Sequence, residues 1–587
     1  MTEVTHPALA EDRVALLTAS NMWPTVLLVS GVALHASFTF IIPTVLPSAI
    51  PEIGGLSLYA WATTLFMVGS MIGSAATGAL LTRFGLRGAF QVGLAVFAAG
   101  MLSGAVASSM PTIIAGRLLQ GLGGGALTAV AFAMLPTLFP ARFHPRAIAM
   151  VSAVWAPCAL VGPVIGGVLA DWDAWRVSFY GGLALSAVAA VAATKGLSPQ
   201  HSGQSGTADA DQALAIPGWR LAIIAAAALS ISIGGVNGKW FEAIPGLLVA
   251  VACLILVLRM DAGAKRSLLP ESRFNLNTLG GAVLITMFLL VFSLGAQPFL
   301  PYMIGVGYHI PLIVAGPIAA ASAVCWTFGS VFSASLNKNG PAPRVLAAGP
   351  LLTMIGVAAT GYALVAGSIV GVTVSWALLG LGIGLVWPHL SSLLIAVAKP
   401  AERQLASLSI AMIQLAGMAF GSAYAGLVAN LAGFADAKNS EQLIHAGGWL
   451  FALCVVPAGL ALAATLRLIV LTARLPGTTK TSSEENVPMT LQELTNRMRT
   501  RIATKSGFGA TVKFDFGDNG VIYVDGLSSP YLISNDDKDA DCTVKLEIDD
   551  FIKITKGELD GNVAFVTGKL RVVGNVSVAM NLSTVFS

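Results

Sequence analysis

The residues best suited to chemistry in this sequence are an arginine and a glutamine set in an apolar stretch, IIAGRLLQGLGGGALTAVAFAMLPTL, from Ile113 to Leu138. Arg117 and Gln120 stand three residues apart, so a helix presents them on one face. An arginine at bilayer depth costs at least ~2.5–3.5 kcal/mol unless it faces protein or a water-filled cavity, which marks it as a functional residue by default. Gly121, Gly123, Gly124 and Gly125 follow it and remove side chains where a neighbouring helix or a substrate must come close. The remaining titratable groups inside apolar runs are His35 and His389. Imidazole, with an unperturbed pKa of ~6.5, exchanges protons near neutral pH. Arg117, Gln120, His35 and His389 are therefore the expected substrate or coupling site, with helix-to-helix hydrogen bonding as the alternative role of the two histidines.

The elements that must position these groups are membrane spans. The chain of 587 residues is 55% hydrophobic and 11% charged, with a mean hydropathy of +0.78. Soluble domains carry about 25% charged residues, so most of this chain belongs in lipid. Apolar runs lie near 23–48, 59–81, 88–107, 112–138, 147–170 and 175–194. A polar stretch from Lys195 to Pro217 is followed by runs near 219–236 and 243–259. Six more lie near 277–305, 310–336, 343–366, 369–397, 405–432 and 446–473. The expectation is an all-α polytopic bundle of fourteen spans, grouped six, two and six, followed by a small α+β domain. The expected boundaries are 1–22, 23–194, 195–276, 277–473, 474–488 and 489–587. Lys and Arg crowd the loops on one side, among them Arg83, Arg87, Arg142, Arg146, Arg259, Lys265, Arg344, Lys399 and Arg474, whereas Arg176, Lys239 and Lys438 fall on the other. By the positive-inside rule both termini are cytoplasmic and the protein is a multi-pass inner (plasma) membrane protein. No cleaved signal peptide is expected, because Glu3, Glu11 and Asp12 interrupt the N-terminus. The five cysteines form no CxxC pair, and neither a metal site nor a cofactor is expected. The net charge of +4, diluted over this length, gives no reason to expect a nucleic-acid partner.

The two six-span groups repeat one another. Gly121-Leu-Gly123-Gly-Gly125 in the fourth span echoes Gly380-Leu-Gly382-Ile-Gly384 in the twelfth. Gly78-x3-Thr82-Arg83-Phe84-Gly85, after the second span, echoes Ser333-x3-Asn337-Lys338-Asn339-Gly340, after the tenth. Internal repeats of this kind mark alternating-access transporters, in which two halves rock about a site near the midplane.

Several motifs now resemble those of the major facilitator superfamily, in its fourteen-helix drug:proton antiporter branch. They are Val45-Leu-Pro47 with Tyr59-Ala-Trp61; the gate loop Gly78, Arg83, Gly85 and Arg87; Arg117-x-x-Gln120-Gly121-x-Gly123; Gly162-Pro163-x-x-Gly166-Gly167 with Trp175-Arg176; and Phe299-Leu300-Pro301-Tyr302 with Ala315-Gly316. The resemblance covers residues 24 to about 473 and implies export of a small molecule, with protons as a candidate coupling ion. In it Gly162, Pro163, Gly166 and Gly167 form the antiporter motif that packs the fifth span. The chain also departs from the pattern. Thr82 stands where the gate loop carries an aspartate, and Phe38 stands where many relatives carry a carboxylate in the first span. A cationic drug is thus poorly supported.

From Gly477 the composition changes. Thr490-x-x-Glu493 reads as a capping box opening a helix with Leu491, Leu494, Met498 and Ile502 at helical spacing. Val512, Phe514 and Phe516 alternate as in a strand, as do Val544, Leu546 and Ile548, and Asp549 or Asp550 opens a short helix. The stretch Gly557-Glu-Leu559 through Gly568-Lys569-Leu570 resembles the sterol carrier protein-2 lipid-transfer fold. That resemblance implies an apolar tunnel for a lipid, with Phe514, Phe516, Phe551, Ile554, Phe565, Val573 and Phe586 as its expected lining. Asp536, Asp537, Asp539 and Asp541 read as a solvated turn rather than a calcium loop. No nucleophilic triad or phosphate loop is present, so an enzyme is not expected. The expected partners are a small amphipathic or lipid-like substrate, protons and membrane lipids. The competing expectation is a non-transporting receptor or scaffold that anchors a lipid-binding domain, kept open by Thr82 and Phe38.

Overall fold

A computed structural model gives the fold. It describes residues 22–138, 150–196, 218–336, 343–473, 491–555, 570–574 and 578, apart from breaks at 152, 263, 265–266, 272–273, 400–401, 503–508 and 529–531. The chain divides into two units, with the boundary in sequence after Leu475.

The first unit is helical. In order it holds α1 (Met22–Ile53), α2 (Trp61–Ala105), α3 (Met110–Leu138), α4 (Trp155–Asp171) and α5 (Trp175–Gly196). The linking pair is α6 (Gly218–Gly235) and α7 (Trp240–Ala262). The second group follows as α8 (Leu279–Phe292), a 3-10 segment (Ser293–Phe299), α9 (Leu300–Gly307), α10 (Leu312–Leu336), α11 (Pro343–Val365), α12 (Ile369–Val397), α13 (Arg403–Leu431) and α14 (Ser440–Ala473). Eleven of these runs are long and apolar enough to cross a bilayer, and α4 and α6 are shorter apolar helices.

Two elements differ from expectation. The second and third spans form the single run α2, broken only at Gly85, whose φ of 65° and ψ of −178° suit glycine alone. One residue thus replaces the expected loop. The ninth span is not continuous: Gly295 and Pro298 tighten its middle into the 3-10 segment before α9 resumes. Irregular backbone at this depth is tolerated where it is buried in protein or lines a cavity.

The glycine repeat is a packing repeat. A methyl on Gly121 or Gly125 would overlap the carbonyl oxygen of Phe66 or Ser70 in the first half of α2. One on Gly380 or Gly384 would overlap that of Ser322 or Trp326 in α10. Gly123 presses on Phe97 and Gly93 in the second half of α2, and Gly382 presses on Gly349 and Thr353 in α11. Each central helix therefore wedges between two neighbours through glycines on two faces, as expected for helices held by close backbone approach rather than hydrophobic driving force.

The second unit has helix α15 (Leu491–Ile502), strands β1 (Thr511–Asp515), β2 (Val521–Asp525), β3 (Leu532–Ser534) and β4 (Cys542–Leu546), helix α16 (Ile548–Thr555) and strand β5 (Leu570–Gly574). The sheet order is β3-β2-β1-β4-β5, with β1 and β4 parallel and the other pairs antiparallel. Alternation buries Val512, Phe514, Ile522, Val524 and Val544 on one face, under Leu494, Met498 and Phe551. Thr490 of the expected capping box lies outside the described residues.

Candidate functional site

Arg117 is 1% exposed and tied to backbone. Its Nε donates to Ala62 O (3.1 Å), its Nη1 to Phe38 O (3.2 Å) and to Gln120 Oε1 (2.8 Å), and its guanidinium lies 3.8 Å over the Phe66 ring. Gln120 Nε2 donates to Gly100 O at 3.1 Å. The pair thus joins α1, both halves of α2, and α3, with no carboxylate among these partners. The corresponding position in the second group, four residues before Gly380, is Trp376. It is fully buried and donates from Nε1 to Ala319 O at 2.9 Å. Both groups therefore place a side-chain donor here to bind the neighbouring helix.

His35 stacks on Phe66 at 5.1 Å, meets Trp155 edge-on at 5.8 Å, and buries a Nδ1 without a hydrogen-bond partner. Arg117 and His35 thus share the Phe66 ring, and Gln120 is bonded to Arg117. His389 belongs to the other group, where its Nε2 lies 2.7 Å from Ser333 Oγ. Because that hydroxyl donates to Leu385 O (2.6 Å), the histidine is the donor. In the gate loop Gly85 makes the break in α2, Gly78 and Arg87 are partly buried, and exposed Arg83 lies 5.4 Å over Phe84. Thr82 spends its hydroxyl on Ala79 O.

Gly162, Pro163, Gly166 and Gly167 are all buried between the two groups. Gly162 and Gly166 face Phe40, Ile41 and Thr44 of α1, whereas Gly167 faces Leu312 and Ile313 of α10. One helical turn on, Asp171 accepts from Leu312 N at 2.7 Å and from Ile313 N at 2.9 Å. A carboxylate of the first group thereby caps a helix of the second. Nearby, Tyr59 donates to Pro298 O (3.1 Å) within a cluster of Phe299, Tyr302 and Phe434. Ser422 bonds Ala60 O, and Asn430 bonds both Ser57 O and Gly235 O, bringing α6 into the same junction. These joins lie at the end that the basic-loop rule places outside.

Below them is a cavity of about 60 Å³ between the two groups. The first group supplies Thr39, Thr63 and Met67 among others, and the second supplies Gln297, Met418 and Ser422. Among the described residues, no charged residue and no histidine lines it. Arg117, Gln120, His35 and His389 are not among the residues that line it. The backbone acceptors of Arg117, Phe38 and Ala62, are the chain neighbours of the wall residues Thr39 and Thr63. Sequence reasoning missed Gln297 and Asp171. The available signals were an amide between Gly295 and Pro298 in an apolar run, and an acid directly after the glycine motif.

In the tail, Phe514 and Phe516 meet Phe551 at 5.0 and 5.3 Å, and Ile554 packs against the same core. Val573 is 57% exposed and does not line an interior, because its neighbour Val572 takes the inward position of β5. Phe565 and Phe586 lie outside the described residues. The acidic run is engaged by protein donors: Asp537 pairs with Lys513 (2.9 Å), Asp536 with Lys538 (3.0 Å), and Asp541 accepts from Thr511 N and Oγ1, both at 2.8 Å.

The family model "Major Facilitator Superfamily" matches residues 27–338. The chain belongs to this superfamily. A second family model, "SCP-2 sterol transfer family", matches residues 481–587. A probable multidrug-efflux transporter of Mycobacterium tuberculosis (strain H37Rv) is 35% identical over 76% of this chain and 94% of its own length. The multidrug transporter protein MdtP of Bacillus subtilis (strain 168) is 26% identical over 69% of this chain and 75% of its own. Among solved structures, a POT family transporter in complex with 5-aminolevulinic acid aligns at TM-score 0.53 and 14% identity, covering 76% of this chain and 96% of that one. A D-xylose-proton symporter aligns at TM-score 0.51 and 14% identity, covering 74% and 96%. These two likenesses concern the fold. The protein is thus a major facilitator transporter carrying a C-terminal SCP-2 domain.

Proposed function

We propose that this transporter exports amphipathic or lipid-like compounds across the plasma membrane by alternating access, with both termini cytoplasmic and the SCP-2 tail binding lipid. The observation that carries the reading is the cavity between the two groups, which no charged residue among the described residues lines. Ligand pockets for drug-sized molecules hold about 300–1,000 Å³, so a cavity of about 60 Å³ must widen to take one as the groups rock apart. The M. tuberculosis relative, named for multidrug efflux, supports export rather than uptake.

The test is movement of a panel of labelled amphipathic compounds by the full chain in proteoliposomes, with and without an imposed pH gradient. Substrate-dependent movement is expected. If no compound moves while the protein stays folded, the exporter reading fails. Movement that follows the pH gradient assigns protons as partner; movement indifferent to it removes them.

A further inference from the structure

The polar groups of the cavity wall are not equivalent. Thr39 spends its hydroxyl on His35 O, Thr44 on Phe40 O, and Ser422 on Ala60 O. The Gln297 amide and the Thr63 hydroxyl, one from each group, make no side-chain hydrogen bond among the described residues. An amide supplies two donors and an acceptor, and a hydroxyl supplies both roles. Gln297 lies in the 3-10 segment, where residues three apart eclipse, so it shares a face with the wall residue Leu294.

One helical turn from Thr63 stands Met67 on α2, and one turn from Ser422 stands Met418 on α13; both thioethers line the same cavity. Thioethers are soft and conform to ligands of many shapes. The wall thus combines a small polar pair with adaptable apolar surface. A cation here would lose its hydration without meeting a carboxylate, which is costly.

We propose that Gln297 and Thr63 form the polar handle of the central site and select uncharged amphipathic compounds bearing a carbonyl, amide or hydroxyl group over permanent cations. The proposal rests on the exporter reading for what the site is for, but its test is a binding measurement. Full-length protein in lipid nanodiscs is titrated with tritiated chloramphenicol, a neutral hydrogen-bonding probe, and with tritiated tetraphenylphosphonium, a cation lacking hydrogen-bonding groups. The wild type is expected to bind the first more tightly. Gln297→Leu and Thr63→Val should each weaken chloramphenicol binding about tenfold, the effect of one lost directed interaction. Gln297→Asn should retain part of it, and Gln297→Glu should gain tetraphenylphosphonium binding. Unchanged chloramphenicol affinity in both Gln297→Leu and Thr63→Val overturns the handle. A wild type that prefers tetraphenylphosphonium, or that binds no chloramphenicol, overturns the substrate class. The expected binding pattern in a protein that moves nothing in proteoliposomes supports the handle and counts against export alone.

Discussion

The cap that Asp171 places on α10 has a consequence for the transport cycle that is open to direct measurement. Its carboxylate accepts from both Leu312 N and Ile313 N, at 2.7 and 2.9 Å, and so satisfies two of the orphan N–H groups at that helix start. Replacing a capping side chain by alanine costs about 0.5–2 kcal/mol. Here the capping residue and the helix belong to different six-span groups, so that cost falls only on the conformation in which the two meet. Asp171→Ala should therefore favour separation at this end by about 0.5–2 kcal/mol, which multiplies the open population roughly 2–30-fold. Asn caps about as well as Asp, so Asp171→Asn should stay near wild type. The reporter is Ala320→Cys on the cavity wall, labelled in intact cells by a membrane-impermeant maleimide, with the chain lacking this cysteine as background. The labelling rate should rise in Asp171→Ala by the same factor as the open population. An unchanged rate in a folded Asp171→Ala protein would show that the cap does not hold the groups together.

Four further outcomes follow from the packing. Arg117→Ala should lower the unfolding temperature of the purified protein, because it strips three charge-assisted donations worth roughly 1.5–3 kcal/mol each, whereas a pure coupling residue would leave that temperature unmoved. Asp261→Ala removes the partner of buried Arg220 (2.8 Å) and the acceptor for Leu268 N; breaking one side of a buried pair costs about 3–5 kcal/mol, read as lost yield of folded protein, and an Arg220→Met, Asp261→Leu double variant should recover only the part due to the unpaired cation, since Leu268 N still lacks its acceptor. In the tail, the bonds from Thr511 hold the Asp541 carboxyl below its usual range. A depressed pKa adds stability above the ordinary carboxylate range that is lost as pH falls through the lowered value, so melts of residues 489–587 between pH 7 and 3 should show a smaller acid loss in Asp541→Asn. Val573→Trp, on the exposed side of β5, should leave binding of a fluorescent fatty acid by that fragment unchanged, whereas Phe551→Ala should weaken it.

Length, apolarity and glycine spacing determined the architecture, because these are local properties. A run of apolar residues must span or be buried wherever the rest of the chain goes. The spacing of Gly121, Gly123 and Gly125 repeats in Gly380, Gly382 and Gly384 because both helices meet two neighbours in the same way. The alternation of Val512 and Phe514 likewise announced a strand with one buried face. What the sequence could not decide was which polar groups remain uncommitted after packing. Arg117 reads as an unpartnered cation until Ala62 O and Phe38 O arrive from other helices to accept from it. Gln297 reads as an incidental amide until the fold places its 3-10 segment on the wall of the same cavity as Thr63, more than two hundred residues away in the chain. Asp171 reads as a loop acid until the other group brings its helix start within hydrogen-bonding distance. A buried polar group takes whichever partner lies within about 3 Å, and that neighbour is supplied by the crossing of helices distant in sequence.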